Sequence, residues 1–279
     1  MNMIGVLYSS QVPQSKPLAD QIQQWLHTQQ VESWISPVSL MSSDCERVAR
    51  SDCFVVLGGD GTTLTVAREA APYGVPIFGI NLGRVGFLSE AVPESWQEKL
   101  EKVLGGEYWL ERRLMLRANI HRKGQEIGEL KALNDVVVSR GEQVRVVQFH
   151  LFVDGDHVTT YTADGLIVAT PTGSTAYSMA AGGPVLPPQL KNFLIIPVAP
   201  HLSFERPVVL HQEAEVKISV AMRQVALATA DGQDAVRLKN GDEVTVSKHN
   251  FESLFARVGG QGYFYHRLMQ RLSFWSRKQ

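Results

Sequence analysis

The sequence is poor in the features that commit a chain to structural metal, membrane or nucleic acid. Its 279 residues hold two cysteines, Cys45 and Cys53, with neither a Cys-x-x-Cys spacing nor a flanking histidine cluster. A thiolate metal site is therefore not written into it. Both residues read as reduced thiols in or near the core, and a reducing, cytoplasmic compartment is expected. An excess of one charge is also missing: 27 basic and 28 acidic side chains leave a formal net charge of −1. No bulk field recruits nucleic acid or a membrane surface, so a partner must be recognised by local chemistry. No apolar run approaches the roughly 20 residues of a membrane-spanning helix. The opening Met1-Asn2-Met3-Ile4-Gly5-Val6-Leu7-Tyr8 lacks the charged, apolar and cleavage regions of an export signal and reads as a strand. What is present is a core-forming composition, 44% apolar and 20% charged, in a chain long enough for two domains.

The first hundred residues alternate short apolar runs with helical patterns, the mark of βαβ units feeding a parallel sheet. Ile4 to Tyr8 reads as a strand, and Pro17 to Gln29, with Leu18, Ile22, Trp25 and Leu26 on one face, as a helix. Cys53 to Leu57 is a second strand, Thr63 to Ala71 a helix, Pro76 to Ile80 a third strand and Glu94 to Glu101 a helix before Gly105-Gly106. From about Leu110 the pattern changes to short alternating segments, such as Leu114 to His121, Asp135 to Ser139, Val144 to Val153 and Val216 to Val220. These read as an all-β domain. The tail from Tyr263 to Gln279 is aromatic and basic, and its Phe264, Leu268, Leu272 and Trp275 spacing predicts a terminal helix packed on the first domain rather than lying on a membrane. The expected fold is thus a Rossmann-like α/β domain, 1–105 with 262–279 returning to it, and a β-sandwich-like domain, 106–261.

Both early strands end in glycine. Leu57-Gly58-Gly59-Asp60-Gly61-Thr62 follows a buried strand and precedes a helix, where open α/β sheets place their ligands. Its glycines allow a sharp turn, with positive φ accessible and no Cβ in a ligand's way, so that their amides can face phosphate oxygens at a helix N-terminus. Asp60 does not belong in a pure phosphate cradle, because a carboxylate repels phosphate; it is assigned to a hydroxyl proton. A plain turn with Asp60 as helix N-cap is the alternative for a lone Gly-Asp-Gly. Asn134-Asp135, ahead of Val136-Val137-Val138, can hydrogen-bond an adenine edge and two vicinal ribose hydroxyls, or form a routine turn. Thr170 to Thr175 is a hydroxyl-rich turn leading into a helix start at Ala176 to Ala181, capped by serine or threonine. Tyr177 can lay its ring on a base and Asp164 can accept from an amide. Arg145, between Val144 and Val146, projects from a strand. His201 follows Pro200 and reads as structural.

Taken in order, five segments resemble the NAD kinase family: Gly58-Gly59-Asp60-Gly61-Thr62; Asn81-Leu82-Gly83-Arg84-Val85-Gly86-Phe87-Leu88; Leu133-Asn134-Asp135; Asp164 to Ser178 continuing through Ala181-Gly182-Gly183-Pro184; and Pro200-His201-Leu202-Ser203 with Arg206-Pro207 and Asp231-Gly232-Gln233. They span about residues 57 to 233, and the fourth is too long to agree by chance. The departures are mild: Val85 for a leucine, Met179-Ala180 for leucine-serine, and an altered order between His201 and Arg206. The resemblance implies transfer of a phosphoryl group from ATP, or a donor such as polyphosphate, to the adenosine 2′-hydroxyl of NAD, giving NADP. It implies Asp60 as catalytic base and Gly58, Gly59, Asp60, Gly61 and Thr62 as phosphate loop. NAD would be bound by Asp60, Gly61, Asn134, Asp135, Arg145 (from a neighbouring subunit), Thr162, Asp164, Thr172, Thr175, Ala176, Tyr177, Ser178, Met179, Ala180, Ala199 and Gln233. Mg²⁺ is expected to arrive with the donor, with no direct protein ligands, and the assembly is expected to be a homodimer or homotetramer. Two other readings share features: lipid kinases of the diacylglycerol or sphingosine type carry the Gly-Gly-Asp-Gly-Thr turn without the Thr170 to Gly183 string, and a non-catalytic NAD(P) sensor could dispense with Asp60.

Overall fold

The computed structural model describes residues 1–276 apart from 84–85, 142–146, 202–204 and 223–224, with all their side chains except that of Asp234 and those of 272–276. The chain divides into two compact units, Met1–Arg112 with Ser253–Gln279, and Arg113–Glu252.

The first unit begins with β1 (Met3–Tyr8), α1 (Ser15–Thr28), β2 (Glu32–Pro37), α2 (Cys45–Arg50), β3 (Cys53–Gly58), α3 (Asp60–Ala70), β4 (Ile77–Asn81), α4 (Trp96–Leu104) and β5 (Trp109–Arg113). Every residue of β3 and β4 is buried. That is why these runs are continuously apolar instead of alternating: a parallel strand is covered on both faces. Helix α1 buries Ala19, Ile22 and Leu26 on one stripe and packs Leu18 and Trp25 at its margin. Pro17 lies in its first turn, where a missing N–H costs no hydrogen bond.

Among the described residues the second unit holds twelve strands: β6 (Leu116–Arg122), β7 (Gln125–Ala132), β8 (Asp135–Arg140), β9 (Val147–Val153), β10 (Asp156–Ala163), β11 (Gly165–Ala169), then, after the short helix α5 (Tyr177–Ala180), β12 (Asn192–Val198), β13 (Val208–His211), β14 (Val216–Ala221), β15 (Ala226–Ala230), β16 (Gln233–Leu238) and β17 (Glu243–Lys248). They form two sheets, β10-β9-β14-β17-β6-β7 and β13-β12-β11-β8-β15-β16, paired antiparallel. The sequence strand Val144 to Val153 is described from Val147 onward; its start lies outside the described residues. Strands of the first sheet alternate, so β14 buries Val216, Ile218 and Val220 between half-buried residues. In the second sheet the middle strands β8, β11 and β12 are buried on both faces along most of their length, whereas β13 and β15 are not. Val136, Val138, Leu166 and Val168 join the core that includes Phe149, Ile218 and Val244, while Val137, Ile167, Ala169, Leu194 and Ile196 pack beneath Ala181, Leu186 and Val198. Ala181 and Leu186, from the segment between β11 and β12, thus cover the middle of this sheet's outer face.

The chain then returns to the first unit with β18 (Ser253–Arg257) and α6 (Tyr263–Ser276). Strand β18 pairs parallel with β4 and completes the order β2-β1-β3-β4-β18-β5. The limits at Arg112 and Ser253 replace those expected at 105 and 262: β5 and β18 are sheet strands of the α/β unit, and a short apolar strand carries no sign of which sheet will take it.

Candidate active site

In the first unit, β1 lies between β2 and β3, so the strand order reverses there, and such open sheets bind ligands outside their carboxyl ends. The register Gly58↔Asn81 sets the ends of β3 and β4 side by side, and the Leu82 amide donates to the Gly58 carbonyl at 3.2 Å. Two motifs far apart in sequence therefore meet. Asp60 is the first residue of α3 and Gly59 its N-cap, in extended backbone (φ −98°, ψ −174°). The carboxylate does not cap the helix; it crosses to the second motif, where Oδ2 accepts from the Phe87 amide at 3.0 Å and Oδ1 from the Leu88 amide at 3.2 Å. Gly86 makes room for it, since a Cβ there would stand 1.9 Å from Oδ1. The glycines of the turn itself are not in positive φ, contrary to expectation. At Gly58 a Cβ would meet Thr62 Oγ1 at 2.5 Å, whereas a Cβ at Gly59 or Gly61 would have no non-neighbouring atom of the described residues within 4 Å. Open space beside bare backbone is what these two provide.

In the second unit, Asn134 and Asp135 sit at the start of β8 in a knot of backbone bonds. Asp231, held at φ 52°, accepts from the amides of Leu133 (3.0 Å), Asn134 (2.7 Å) and Asp135 (3.3 Å), and its own amide donates to the Asp135 carbonyl at 2.9 Å. From the other side the Thr170 amide donates to the Asn134 carbonyl at 2.8 Å and Thr170 Oγ1 to the Leu133 carbonyl at 2.5 Å. Gly173 lies so close that a Cβ would stand 2.1 Å from that same Asn134 carbonyl. Burial, then the charge of Asp231, pushes the Asp135 carboxyl up to about 7. Sequence reading placed Asp231 in a motif but gave it no task; a residue that tolerates positive φ before Gly232-Gln233 was the available signal.

The hydroxyls of the following turn are turned inward. Ser174 Oγ donates to the Pro171 carbonyl at 2.7 Å, Thr175 Oγ1 to the Thr172 carbonyl at 3.2 Å, and Thr172 Oγ1 accepts from buried Arg113 at 3.3 Å. The expected serine or threonine cap of the next helix is absent, for α5 starts after Ala176 with no side-chain cap. On α5, Tyr177 and Ala180 are exposed, Met179 half-buried and Ser178 buried, its hydroxyl without a hydrogen bond among the described residues. Tyr177 shares a cavity of about 430 Å³ with Ser139, Arg140, Gly141, Asp164, Gly165 and Val198. Two predicted residues, Asp164 and Tyr177, are thereby brought together, and Arg140 Nε holds Asp164 Oδ1 at 2.8 Å. Thr162 and Ala199 flank this region: the Thr162 carbonyl accepts from the exposed His201 amide at 2.8 Å, and Ala199 takes a positive φ of 45°. Gln233 opens β16, and Arg145 lies outside the described residues. Among the described residues no group of three or more His, Cys, Asp or Glu side chains could hold a metal ion.

A pinned carboxylate next to open glycine amides is equipment for moving a phosphoryl group onto an alcohol, and the class is that of a kinase. Residues 4–108 match the ATP-NAD kinase N-terminal domain and 133–258 the ATP-NAD kinase C-terminal domain. The chain is 38% identical over 286 residues to the NAD kinase of Desulforamulus reducens, covering 99% of this chain and 98% of the relative. It is 41% identical over 220 residues to that of Carboxydothermus hydrogenoformans, covering 78% and 79%. The fold is that of a yeast NADH kinase solved with NADH (TM-score 0.89, 24% identity, 98% of this chain and 88% of that one). An NAD kinase of Archaeoglobus fulgidus solved with ATP is similar too (TM-score 0.76, 30% identity, 95% and 96%). The chain belongs to the NAD kinase family and is an enzyme that phosphorylates NAD.

Proposed function

We propose that Asp60 is the general base that takes the proton of the adenosine 2′-hydroxyl of NAD. The observation that carries this is its suspension: each carboxylate oxygen accepts one backbone amide, so the group is fixed in direction while each oxygen keeps lone-pair capacity for a hydroxyl. As the proton passes to Asp60, the 2′-oxygen forms its bond to the γ-phosphorus of ATP, the bond from that phosphorus to the β–γ bridging oxygen breaks, and ADP leaves. A positioned base supplies roughly 10²- to 10⁴-fold. The rest comes from positioning and from donors on the transferring group, here the amides of Gly58 to Thr62. ATP as donor is supported by the ATP-bound relative from Archaeoglobus fulgidus. Mg²⁺ is assigned to phosphate oxygens and water, and would neutralise charge on the transferring phosphoryl.

Asn134 and Asp135 are assigned to the adenosine, Asp164 and Tyr177 to the nicotinamide end, and Thr162, Thr172, Thr175, Ala176, Ser178, Met179, Ala180, Ala199 and Gln233 to the dinucleotide between, with Arg145 given by a neighbouring subunit of a homodimer or homotetramer. The free thiols Cys45 and Cys53 support a cytoplasmic location. A lipid kinase or a non-catalytic sensor is disfavoured by near-full-length similarity to NAD kinases. The test is to mix the protein with NAD, ATP and Mg²⁺ and follow NADP with a dehydrogenase specific for it, comparing Asp60→Asn. A fall of two or more decades in turnover with NAD affinity within several-fold supports the assignment; wild-type turnover refutes it.

A further inference from the structure

The two amides that hold Asp60 belong to a loop whose carbonyls point the other way, into a buried cationic cluster. The Phe87 N–H and the Gly86 C=O are one peptide group. Arg267 Nη1, from α6, donates to that Gly86 carbonyl at 3.1 Å and also to the Ser89 carbonyl. Arg257 Nη1, from β18, donates to the carbonyls of Leu88 (3.1 Å) and Ser89 (2.9 Å). Arg257 is 1% exposed and is itself fixed: Nε bonds Glu111 Oε2 at 2.9 Å, Nη1 reaches Glu90 Oε2 at 3.3 Å, and the Tyr263 ring lies 4.6 Å away and that of Phe255 5.2 Å. Tyr263 OH donates to Glu111 at 2.6 Å. Arg271 stacks on the Phe87 ring at 4.9 Å and Phe264 packs against it at 5.9 Å. Burial and the charge of Arg257 pull the Arg267 guanidinium down to about 10, which leaves it cationic at neutral pH.

We infer that Arg267 is a positioning residue for phosphoryl transfer, with Arg257 as its support: it grips the carbonyl of the peptide whose N–H directs Asp60, and so sets the aim of the base from the C-terminal helix. A cation on the carbonyl end fixes the peptide plane and strengthens the amide as a donor, since hydrogen bonds in a chain polarise one another. The Arg267 side chain reaches the reaction through that peptide and through the attraction between its charge and the Asp60 carboxylate, and it touches no reacting atom itself. This inference rests on Asp60 being the base, and the experiment separates the two. Arg267→Met and Arg267→Lys are made in the wild type and in Asp60→Asn, and turnover, KM for NAD and melting temperature are measured. Arg267→Met should lower kcat by roughly ten- to a hundredfold with KM within several-fold, the scale of an ångström-sized misplacement. Arg267→Lys should recover part of it, and in the Asp60→Asn background Arg267→Met should cost no further turnover. An undiminished loss in that background, or a loss in KM alone, overturns the inference while leaving the base assignment standing. Wild-type turnover in Asp60→Asn alone overturns the base assignment and this inference with it. Should Arg267→Met lower melting temperature enough to unfold the protein at the assay temperature, Arg267→Lys carries the same comparison, with full additivity as the overturning result.

Discussion

Gly86→Ala probes the site without touching any group that performs chemistry. An alanine Cβ would lie 1.9 Å from Asp60 Oδ1, 2.3 Å from Cγ and 2.4 Å from Oδ2, and real Cβ atoms do not come within 3.0 Å of a neighbour. The carboxylate must therefore back away by about an ångström or more, and a displacement of that size can cost on the order of 10²-fold in rate. Moving also breaks the bonds from Phe87 and Leu88, charge-assisted contacts of roughly 1.5–3 kcal/mol each. Because Asp60 is half-buried at the carboxyl end of the sheet, water can replace those donors and little global stability should be lost. The coupled NADP assay should show kcat reduced by about two decades, with KM for NAD little changed and a melting temperature within a few degrees of wild type. Wild-type turnover in Gly86→Ala would mean that the reaction does not depend on where this carboxylate stands.

Three other outcomes follow from the second unit. With its folded carboxyl raised to about 7 and its unfolded value near 3.9, Asp135 favours folding below about pH 4; that contribution is lost as pH rises to about 7 and then levels. Urea unfolding between pH 4.5 and 8 should accordingly show a smaller decline in Asp135→Asn than in wild type, and parallel curves would contradict the assignment. Tyr177 is 46% exposed, so Tyr177→Ala should change stability by only about 0.5 kcal/mol while weakening NAD binding by calorimetry; unchanged affinity would remove the ring from the site. Asp231→Ala strips the acceptor from three backbone amides, and at roughly 1–3 kcal/mol for a donor left buried should lower the melting temperature by several degrees, which a thermal scan reads directly.

The first unit was legible where local pattern decides structure. Continuous apolar runs at Cys53 and Ile77 followed by glycine announced buried parallel strands and the turns at their carboxyl ends, because burial on both faces leaves no polar positions to confuse the period. Strand β2, Glu-Ser-Trp-Ile-Ser-Pro, has only Trp34 fully buried and gave no such signal. What escaped altogether was non-local. Asp60 finds its donors at Phe87 and Leu88, Asn134 its acceptor at Asp231, and Asp164 its cation at Arg140. The motifs could be seen separately, but not that one is a bracket for another. Arg257 and Arg267 carry no local sign of their burial, since nothing in the neighbouring sequence says that Glu90, Glu111 and the carbonyls of residues 86–89 will converge on them.

The placement of β18 and α6 has a consequence for biosynthesis. The ribosome must finish Arg113–Glu252, a contiguous and compact unit, before it delivers the strand that pairs with β4 and the helix that reaches the Gly86 carbonyl. A nascent chain halted at Glu252 would carry every residue of the Gly-Asp-Gly turn and of the Phe87–Leu88 bracket, yet lack the two arginines that brace that bracket.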